Sequence, residues 1–155
     1  MIIRQATHDD VQAMCEVINP IIEAGGTTAY QKTFTEETMQ ASYFGSRMIS
    51  CVVAEIDERV MGWQSLAHSG PSYGGLDHVP VGWGIIATFA AIDAKQGGIG
   101  TAMFAETVKA ARAAGVIAID ATIKRYNTGG QRFYSKMGFV DYYETDDAVS
   151  KKFEP

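Results

Sequence analysis

The spacing of apolar residues predicts a chain in which strands and helices alternate. Short apolar runs bounded by turn residues predict strands, and stretches with apolar residues every three or four positions predict helices. The predicted strands lie at 2–5, 49–56, 59–67, 81–91, 116–121, 139–143 and 149–153, and the main helices begin at 7 and span 35–43, 98–114 and 127–137. Residues 49–67 form a hairpin around Asp57 and Glu58, and the run 116–121 has parallel neighbours because helices flank it. The pattern therefore predicts an α/β domain with a mixed sheet.

Polar residues at the predicted helix ends support these boundaries. Thr7 is a good N-cap residue with Asp10 three positions later, and Asn127 and Gly138 bracket the last helix. Pro20 interrupts the apolar stripe of the first helix. Two alternatives remain open there: Asn19 caps a second short helix that starts at Pro20, or the helix is kinked.

Composition narrows the class of protein. The chain has 155 residues, 46% of them hydrophobic, which fits a single domain over 1–155. A net charge of −5 disfavours nucleic acid as a partner and is compatible with a cationic substrate. Neither a leader nor a membrane-spanning run is visible, so a cytoplasmic protein without a membrane partner is expected. Cys15 and Cys51 lie in apolar patterns as buried thiols, and no Cys/His spacing predicts a metal.

A glycine-rich segment joins the strand at 81–91 to the next helix, and its sequence over 95–101 is KQGGIGT. Glycines at a helix start expose backbone N–H groups, and the helix dipole adds positive charge, so the segment suits a phosphate. A P-loop would need lysine before Thr101, and a dinucleotide fingerprint would need a small residue at Met103. Asp120 does fall where a ribose-binding acid is expected, but the glycines come too late in the chain for a doubly wound nucleotide domain.

Two motifs in order give a family resemblance. Lys95-x-x-Gly98-x-Gly100 resembles the Arg/Gln-x-x-Gly-x-Gly/Ala motif of the GNAT superfamily of acyl-CoA-dependent N-acetyltransferases, and residues 127–139, NTGGQRFYSKMGF, resemble a second block of that family. The opening over 3–10 also resembles the family's first strand and helix cap, so the resemblance covers the whole chain. Residues 18–23 and 27–28 resemble the phosphinothricin acetyltransferase branch. The resemblance implies a mixed, mostly antiparallel sheet flanked by helices, with a splayed fourth and fifth strand.

The resemblance also implies how acetyl-CoA is bound as cosubstrate, without a metal. The pantetheine arm is expected along the fourth strand, the pyrophosphate on the glycine-rich segment, and a further hydrogen bond from an asparagine that also caps its helix. The corresponding residues here are Thr88, Phe89 and Ala90; Lys95, Gln96, Gly97, Gly98, Ile99, Gly100 and Thr101; and Asn127. Tyr134 occupies the position of the family's general acid, where a phenol protonates the departing CoA thiolate.

The acceptor side is less defined. The branch often has a glutamate in the fourth strand, but residues 82–86 contain no acid. His68, His78 and Asp77 are candidate bases in or beside the preceding loop, and Tyr30 and Tyr73 are candidates to line the acceptor pocket.

The sequence thus predicts direct acetyl transfer to a small primary amine or amino-acid-like acceptor. Acetylation of a protein N-terminus or lysine, and a non-catalytic acyl-CoA-binding module, are the alternatives. A homodimer is compatible with the resemblance to the branch.

Overall fold

The structure is a computed structural model that describes residues 1–71, 76–94 and 97–155. These residues form seven strands and four α-helices, with a short 3-10 turn at His8–Asp10. In chain order they are β1 (Ile2–Gln5), α1 (Val11–Ala24), α2 (Glu36–Tyr43), β2 (Met48–Ile56), β3 (Arg59–His68), β4 (Gly84–Ala90), α3 (Ile99–Ala113), β5 (Ile119–Lys124), α4 (Thr128–Lys136), β6 (Val140–Glu144) and β7 (Ala148–Phe153).

The strands form one sheet in the order β1-β2-β3-β4-β5-β7-β6. Neighbouring strands are antiparallel except for β4 and β5, which are parallel and are connected through α3. A parallel pair needs such a crossover because a tight turn can join only antiparallel strands. The β2–β3 hairpin turns at Asp57 and Glu58, which both have positive φ, at 49° and 61°, as a two-residue hairpin turn requires. The predicted mixed, mostly antiparallel α/β fold is confirmed.

Apolar clusters cover both faces of the sheet. The cluster on the α1 and α2 face includes Met14, Ile18, Met39, Tyr43 and Trp63. The cluster on the α3 and α4 face includes Leu66, Ile86, Phe104, Ile119 and Phe139. Because side chains alternate between the faces of a strand, the central strands are apolar toward both layers.

Helix α1 runs without a break through Pro20, which excludes a second helix starting at that residue. Asn19 caps no second helix. Its side-chain amide donates to the Phe34 carbonyl oxygen (2.9 Å), and its side-chain oxygen accepts from the Phe34 N–H (2.8 Å). The proline removes a helix hydrogen bond near the C-terminal end, where burial of Ile18 and Ile22 can offset the loss.

Strands β4 and β5 both start three residues later than predicted, at Gly84 and Ile119 rather than at Val81 and Val116. Before β4, Gly82 has a φ of +89°, and the chain turns there. Before β5, the Val116 N–H bonds back to the Ala111 carbonyl, so this apolar residue continues the turn after α3. The apolar runs thus predicted which segments are buried, but not the residues at which β4 and β5 begin.

An ion pair fixes β1 to the start of α1. The guanidinium of Arg4 donates to both carboxylate oxygens of Asp10, at 2.8 Å each, and the Thr7 N–H donates to the same carboxylate at 2.8 Å. Asp10 is buried. The Arg4 guanidinium holds the pKa of Asp10 below its ordinary value, with further lowering by the Thr7 N–H and opposition from burial.

No helix within the described ranges has the length and apolar character needed to cross a membrane.

Candidate active site

A cleft opens where β4 and β5 separate. Within the described residues, the two strands pair only at Gly84↔Ile119 and Ile85↔Asp120. Beyond Ile85, the backbone of β4 on the β5 side faces the cleft. The cleft measures about 1670 Å³ and is lined by residues from both faces of the sheet. This exceeds the roughly 300–1,000 Å³ of common small-ligand pockets, so an extended ligand and a second molecule can fit together.

The glycine-rich segment forms one wall. Gly97, Gly98, Ile99, Gly100 and Thr101 all line the cleft, at the first turn of α3. Gly98 is the N-cap, with a φ of +72° that disfavours any side chain, and a Cβ added there would meet nothing within 4 Å. The open space above this backbone, together with the N–H groups of a helix start, fits a phosphate group. Lys95 and Gln96 lie outside the described residues.

Gly100 is constrained for a different reason. A Cβ at this position would lie 2.7 Å from Cε2 of Phe133 on α4. The absence of a side chain therefore lets α3 and α4 pack closely beside the cleft. A substitution at Gly100 would disturb this packing as well as any ligand.

The side chain of Tyr134 reaches the cleft from α4. Its hydroxyl lies 2.9 Å from Oγ1 of Thr88 on β4. Oγ1 of Thr88 also accepts a hydrogen bond from Nε2 of Gln64 (2.9 Å), and Oγ1 of Thr107 donates to Oε1 of Gln64 (2.5 Å). Because Thr88 accepts from Gln64, its hydroxyl hydrogen can be donated to Tyr134, which leaves the phenolic hydrogen for the cleft.

Burial raises the pKa of Tyr134 to about 12; the Thr88 hydrogen bond opposes this shift, and the charge of Asp120 adds to it. Its phenol is therefore protonated at neutral pH and is available as a proton donor.

The other predicted β4 residues lie along the same stretch. Thr88, Phe89 and Ala90 all line the cleft. The Phe89 ring packs against Trp63 with centroids 4.6 Å apart, on the sheet face opposite to the Tyr134 contact. The side chain of Phe89 therefore belongs to the core, and the backbone of this stretch remains the part that faces a ligand.

Asn127 caps α4 as predicted. Its Oδ1 accepts a hydrogen bond from the Gly130 N–H (2.9 Å), and Asn127 also lines the cleft. A Cβ on Gly130 would meet Nδ2 of Asn127 at 2.6 Å. The glycine in this first helical turn thus makes room for the asparagine side chain itself.

Polar groups from four separated segments meet around Asp120, which lines the cleft on β5. His78, in the loop before β4, places Nε2 2.9 Å from Oγ of Ser150 on β7 and 3.9 Å from Oδ2 of Asp120 on β5. The hydroxyl of Thr122 donates to Asp120 (2.9 Å), and so does the hydroxyl of Tyr142 (2.6 Å). Burial raises the pKa of Asp120, and the two hydroxyls and His78 oppose this shift.

Asp120 is the site residue that sequence reasoning missed in this role. It was considered only as the ribose-binding acid of a nucleotide domain. The sequence signal was a lone carboxylate within the apolar run 116–121. In the structure, β4 has no acid in the cleft, but Asp120 pairs directly with Ile85 across the parallel strands.

The other residues predicted for the acceptor side differ in their position relative to the cleft. Tyr30 lines the cleft, and its hydroxyl lies 2.5 Å from that of Tyr43. His68 ends β3 with an exposed side chain and is not among the described residues that line the cleft. Asp77 precedes His78 in the same turn and likewise does not line it. Tyr73 lies outside the described residues. No group of three or more metal-binding side chains occurs in the described part of the chain.

Comparisons with known proteins identify the family and the fold. A family model described as "Acetyltransferase (GNAT) family" matches residues 13–139. No curated protein sequence is similar enough to match the chain. Solved structures with the same fold include the ribosomal-protein-alanine N-acetyltransferase from Brucella melitensis, with 21% identity, 100% of both chains covered and a TM-score of 0.82.

Two further structures show the same fold over nearly the whole chain. A GCN5-related N-acetyltransferase from Kribbella flavida has 19% identity, a TM-score of 0.83, and coverage of 99% of this chain and 97% of its own. A phosphinothricin acetyltransferase from Sinorhizobium meliloti, in complex with acetyl-CoA, has 17% identity and a TM-score of 0.82, with coverage of 99% and 87%.

Proposed function

Because the chain belongs to the GNAT family of acetyltransferases, we propose that it transfers the acetyl group of acetyl-CoA directly to a small primary amine or amino-acid-like acceptor. The observation that carries this proposal is the buried Tyr134 phenol in a cleft that crosses the sheet. The glycine-rich start of α3 opens on one side of the phenol, and the polar groups around Asp120 lie on the other. A donor and an acceptor can therefore approach Tyr134 from opposite faces.

The residues of the α3 and α4 side fit acetyl-CoA. The N–H groups from Gly97 to Thr101 would hold the pyrophosphate, and the backbone of Thr88 to Ala90 would bind the pantetheine arm, with Asn127 beside it. The open space at Gly98 supports this fit, since a side chain there would fill the approach to the backbone. Bound acetyl-CoA supplies an activated thioester, from which the acetyl carbon forms a C–N bond with the amine as its C–S bond breaks.

Tyr134 would supply the proton for the departing sulfur. The burial that keeps this phenol protonated also makes a tyrosinate costly. Its proton must therefore be replaced as it leaves, and the acceptor nitrogen is the source, since an ammonium loses two protons on becoming an amide. One of these protons balances the thiol, and the other leaves the site.

The acceptor must lose its first proton before it can react. An alkylamine with a pKa near 10.4 is only about 0.04% neutral at pH 7. A group on the acceptor side that takes this proton would raise the fraction of reactive amine. The resident candidates are the polar groups at the Asp120 end of the cleft.

The test is an amine panel that measures release of free thiol from acetyl-CoA, with wild type and Tyr134→Phe compared. We expect turnover with small amines in wild type. Tyr134→Phe keeps the ring and removes the proton, so acetyl-CoA affinity should hold while kcat falls by roughly 10²–10⁴.

Tyr126→Phe is the matched control, because the exposed Tyr126 hydroxyl donates to the Thr28 carbonyl, away from Tyr134, and its loss should not affect turnover. Turnover with peptides but with no small amine would favour a protein acetyltransferase. Acetyl-CoA binding without turnover on either class would favour a binding module.

A further inference from the structure

The Asp120 carboxylate is the starting point, because its burial and its partners are unusual for an ionisable group. Its side chain has 0% exposure, and its ion-pair partner among residues 1–71, 76–94 and 97–155 is His78. Lys124 on β5 and Lys151 on β7 pair instead with the exposed carboxylates of Asp147 and Asp141, and Lys152 on β7 pairs with Glu154. A buried carboxylate stabilised chiefly by hydroxyl donors is costly to keep ionised. Such a group is a candidate for function.

With the Asp120 carboxyl ionised, the hydrogen bonds that lead away from it have one consistent direction. The carboxylate accepts, so the single hydrogen of the Thr122 hydroxyl is donated to it. The Thr122 oxygen then accepts the hydrogen of Ser150 across 2.7 Å. The Ser150 oxygen in turn accepts from Nε2–H of His78 across 2.9 Å. The chain of donors therefore fixes the neutral tautomer of His78, with the hydrogen on Nε2 and the lone pair on Nδ1.

We infer that His78 receives the proton of the acceptor ammonium, and that Asp120 is the positioning residue that holds the tautomer and stabilises the imidazolium. This inference rests on the proposed acetyltransfer. Nδ1 takes one proton from the ammonium, which leaves a neutral amine whose lone pair forms the new C–N bond. The resulting positive charge lies within 3.9 Å of the Asp120 carboxylate. The side chain of His78 is 12% exposed, so the proton can afterwards pass to water.

The surroundings of His78 favour a cationic amine as the acceptor. The imidazole stacks on Tyr143 with centroids 4.1 Å apart and planes 8° from parallel, and Tyr142 lies 6.0 Å away. Aromatic faces and a carboxylate both attract a cation. The pKa of Tyr142 is raised by burial and by Asp120, so its hydroxyl stays a donor to the carboxylate. Within the described residues, Tyr134 interacts with the charge of Asp120, and Asp77 is adjacent to His78 in the chain.

The tautomer gives a test that does not need turnover. The chain has three histidines, so ¹⁵N imidazole spectra are simple, and His78→Gln identifies the His78 signals. We expect wild-type His78 to carry its hydrogen on Nε2. A neutral His78 with the hydrogen on Nδ1 would overturn the relay. Ser150→Ala should weaken the Nε2–H preference without changing the fold, because it removes only one hydroxyl.

Kinetics with an accepted amine tests the role itself. His78→Gln should lower kcat/KM by roughly 10²–10⁴, with acetyl-CoA affinity unchanged. Added imidazole should partly restore His78→Ala. Asp120→Asn should lower kcat/KM by roughly tenfold. It should also move the acidic limb of the pH–rate profile to lower pH, because the imidazolium then lacks its anion. A purely structural role for Asp120 would leave that limb in place.

His68→Gln is the control, since that exposed histidine lies outside the cleft lining and should leave the rate unchanged. Full turnover in His78→Gln would overturn the inference while leaving the proposed acetyltransfer intact. Absence of turnover in wild type with every amine would contradict both.

Discussion

Two buried aspartates show how differently two regions of this molecule are built. Asp10, where β1 meets α1, receives two hydrogen bonds from the Arg4 guanidinium and one from a backbone N–H, and its pKa is lowered. Asp120, in the cleft between β4 and β5, receives two hydroxyl hydrogen bonds and lies near a histidine, and its pKa is raised. The folded protein therefore favours the ionised form of Asp10 and disfavours the ionised form of Asp120.

The difference reflects what each region has to do. At the β1 edge, a permanent cation neutralises the acid, so the pair fixes the chain and takes no part in proton exchange. In the cleft, hydroxyl hydrogen bonds stabilise the Asp120 carboxylate but do not neutralise its charge. The carboxylate can therefore stabilise a cation that forms during a reaction. A site that must respond to a changing charge is typically built at some cost in stability. The predictions below compare a change in the cleft with a matched change elsewhere.

The largest effect on stability is expected at the β1 edge. Asp10→Asn should lower the free energy of unfolding by about 2 kcal/mol at pH 7, since charged hydrogen bonds to a buried group are lost. For a chain of this length, the melting temperature should fall by roughly 4–8 °C. The folded-state pKa of Asp10 is depressed, so its contribution is present above the ordinary carboxyl range and is lost as pH falls through the folded value. The gap between wild type and variant should therefore shrink below about pH 4.

Asp93→Asn is the control for this measurement. Asp93 pairs with Arg59 at 3.0 Å, but its side chain is 60% exposed, and such pairs contribute little. Thermal unfolding of both variants over a range of pH gives the comparison. An Asp10→Asn protein as stable as Asp93→Asn at pH 7 would contradict the structural role of Asp10.

Two glycines at opposite ends of α3 give the next comparison. Gly98 and Gly115 have φ values of +72° and +70°, and an added Cβ meets nothing within 4 Å at either position. Alanine at either site should therefore impose a similar backbone strain, about 1–2 kcal/mol. Only Gly98 lines the cleft, so Gly98→Ala should weaken acetyl-CoA binding by about tenfold or more, equivalent to about 1.4 kcal/mol.

Calorimetric titration of acetyl-CoA into both variants provides the measurement, and thermal unfolding checks that their stabilities match. Equal affinity in the two variants would mean that the phosphates bind away from the start of α3. Gly100 is less suitable for this test, because a substitution there also strikes Phe133.

The sequence was sufficient where function depends on local structure. A glycine-rich helix start and a tyrosine seven residues after a capping asparagine are fixed by neighbours in the chain, and the structure places Gly98, Asn127 and Tyr134 around the cleft. The mixed, mostly antiparallel character of the sheet was predicted too, from the apolar runs and the family resemblance.

The acceptor end could not be read from the sequence in the same way. His78, Asp120, Thr122 and Ser150 come from a loop and two strands. The β5–β7 ladder places Thr122 beside Ser150, and the loop before β4 brings His78 to Ser150. The start of β5 was predicted three residues early, so the register that creates the cluster was out of reach. In addition, His78 alone gave no sign that a buried carboxylate would lie behind it.

The smallest expected effect is a gain in stability from the cleft. Asp120→Asn should raise the free energy of unfolding at pH 7 by on the order of 1 kcal/mol, because functional sites are commonly kept at a cost in stability that a substitution can remove. The folded-state pKa of Asp120 is raised by burial, so ionisation opposes folding as pH rises above the ordinary carboxyl range, and asparagine removes that penalty. The gain should disappear below about pH 4, where the wild-type carboxyl is protonated in both the folded and the unfolded state.

Urea unfolding of wild type and Asp120→Asn at pH 7 and pH 3.5 measures this gain, with Asp10→Asn as the variant of opposite sign. If Asp120→Asn were destabilising at pH 7 by as much as Asp10→Asn, then Asp120 would be a structural acid like Asp10, and the contrast between the two regions would fail.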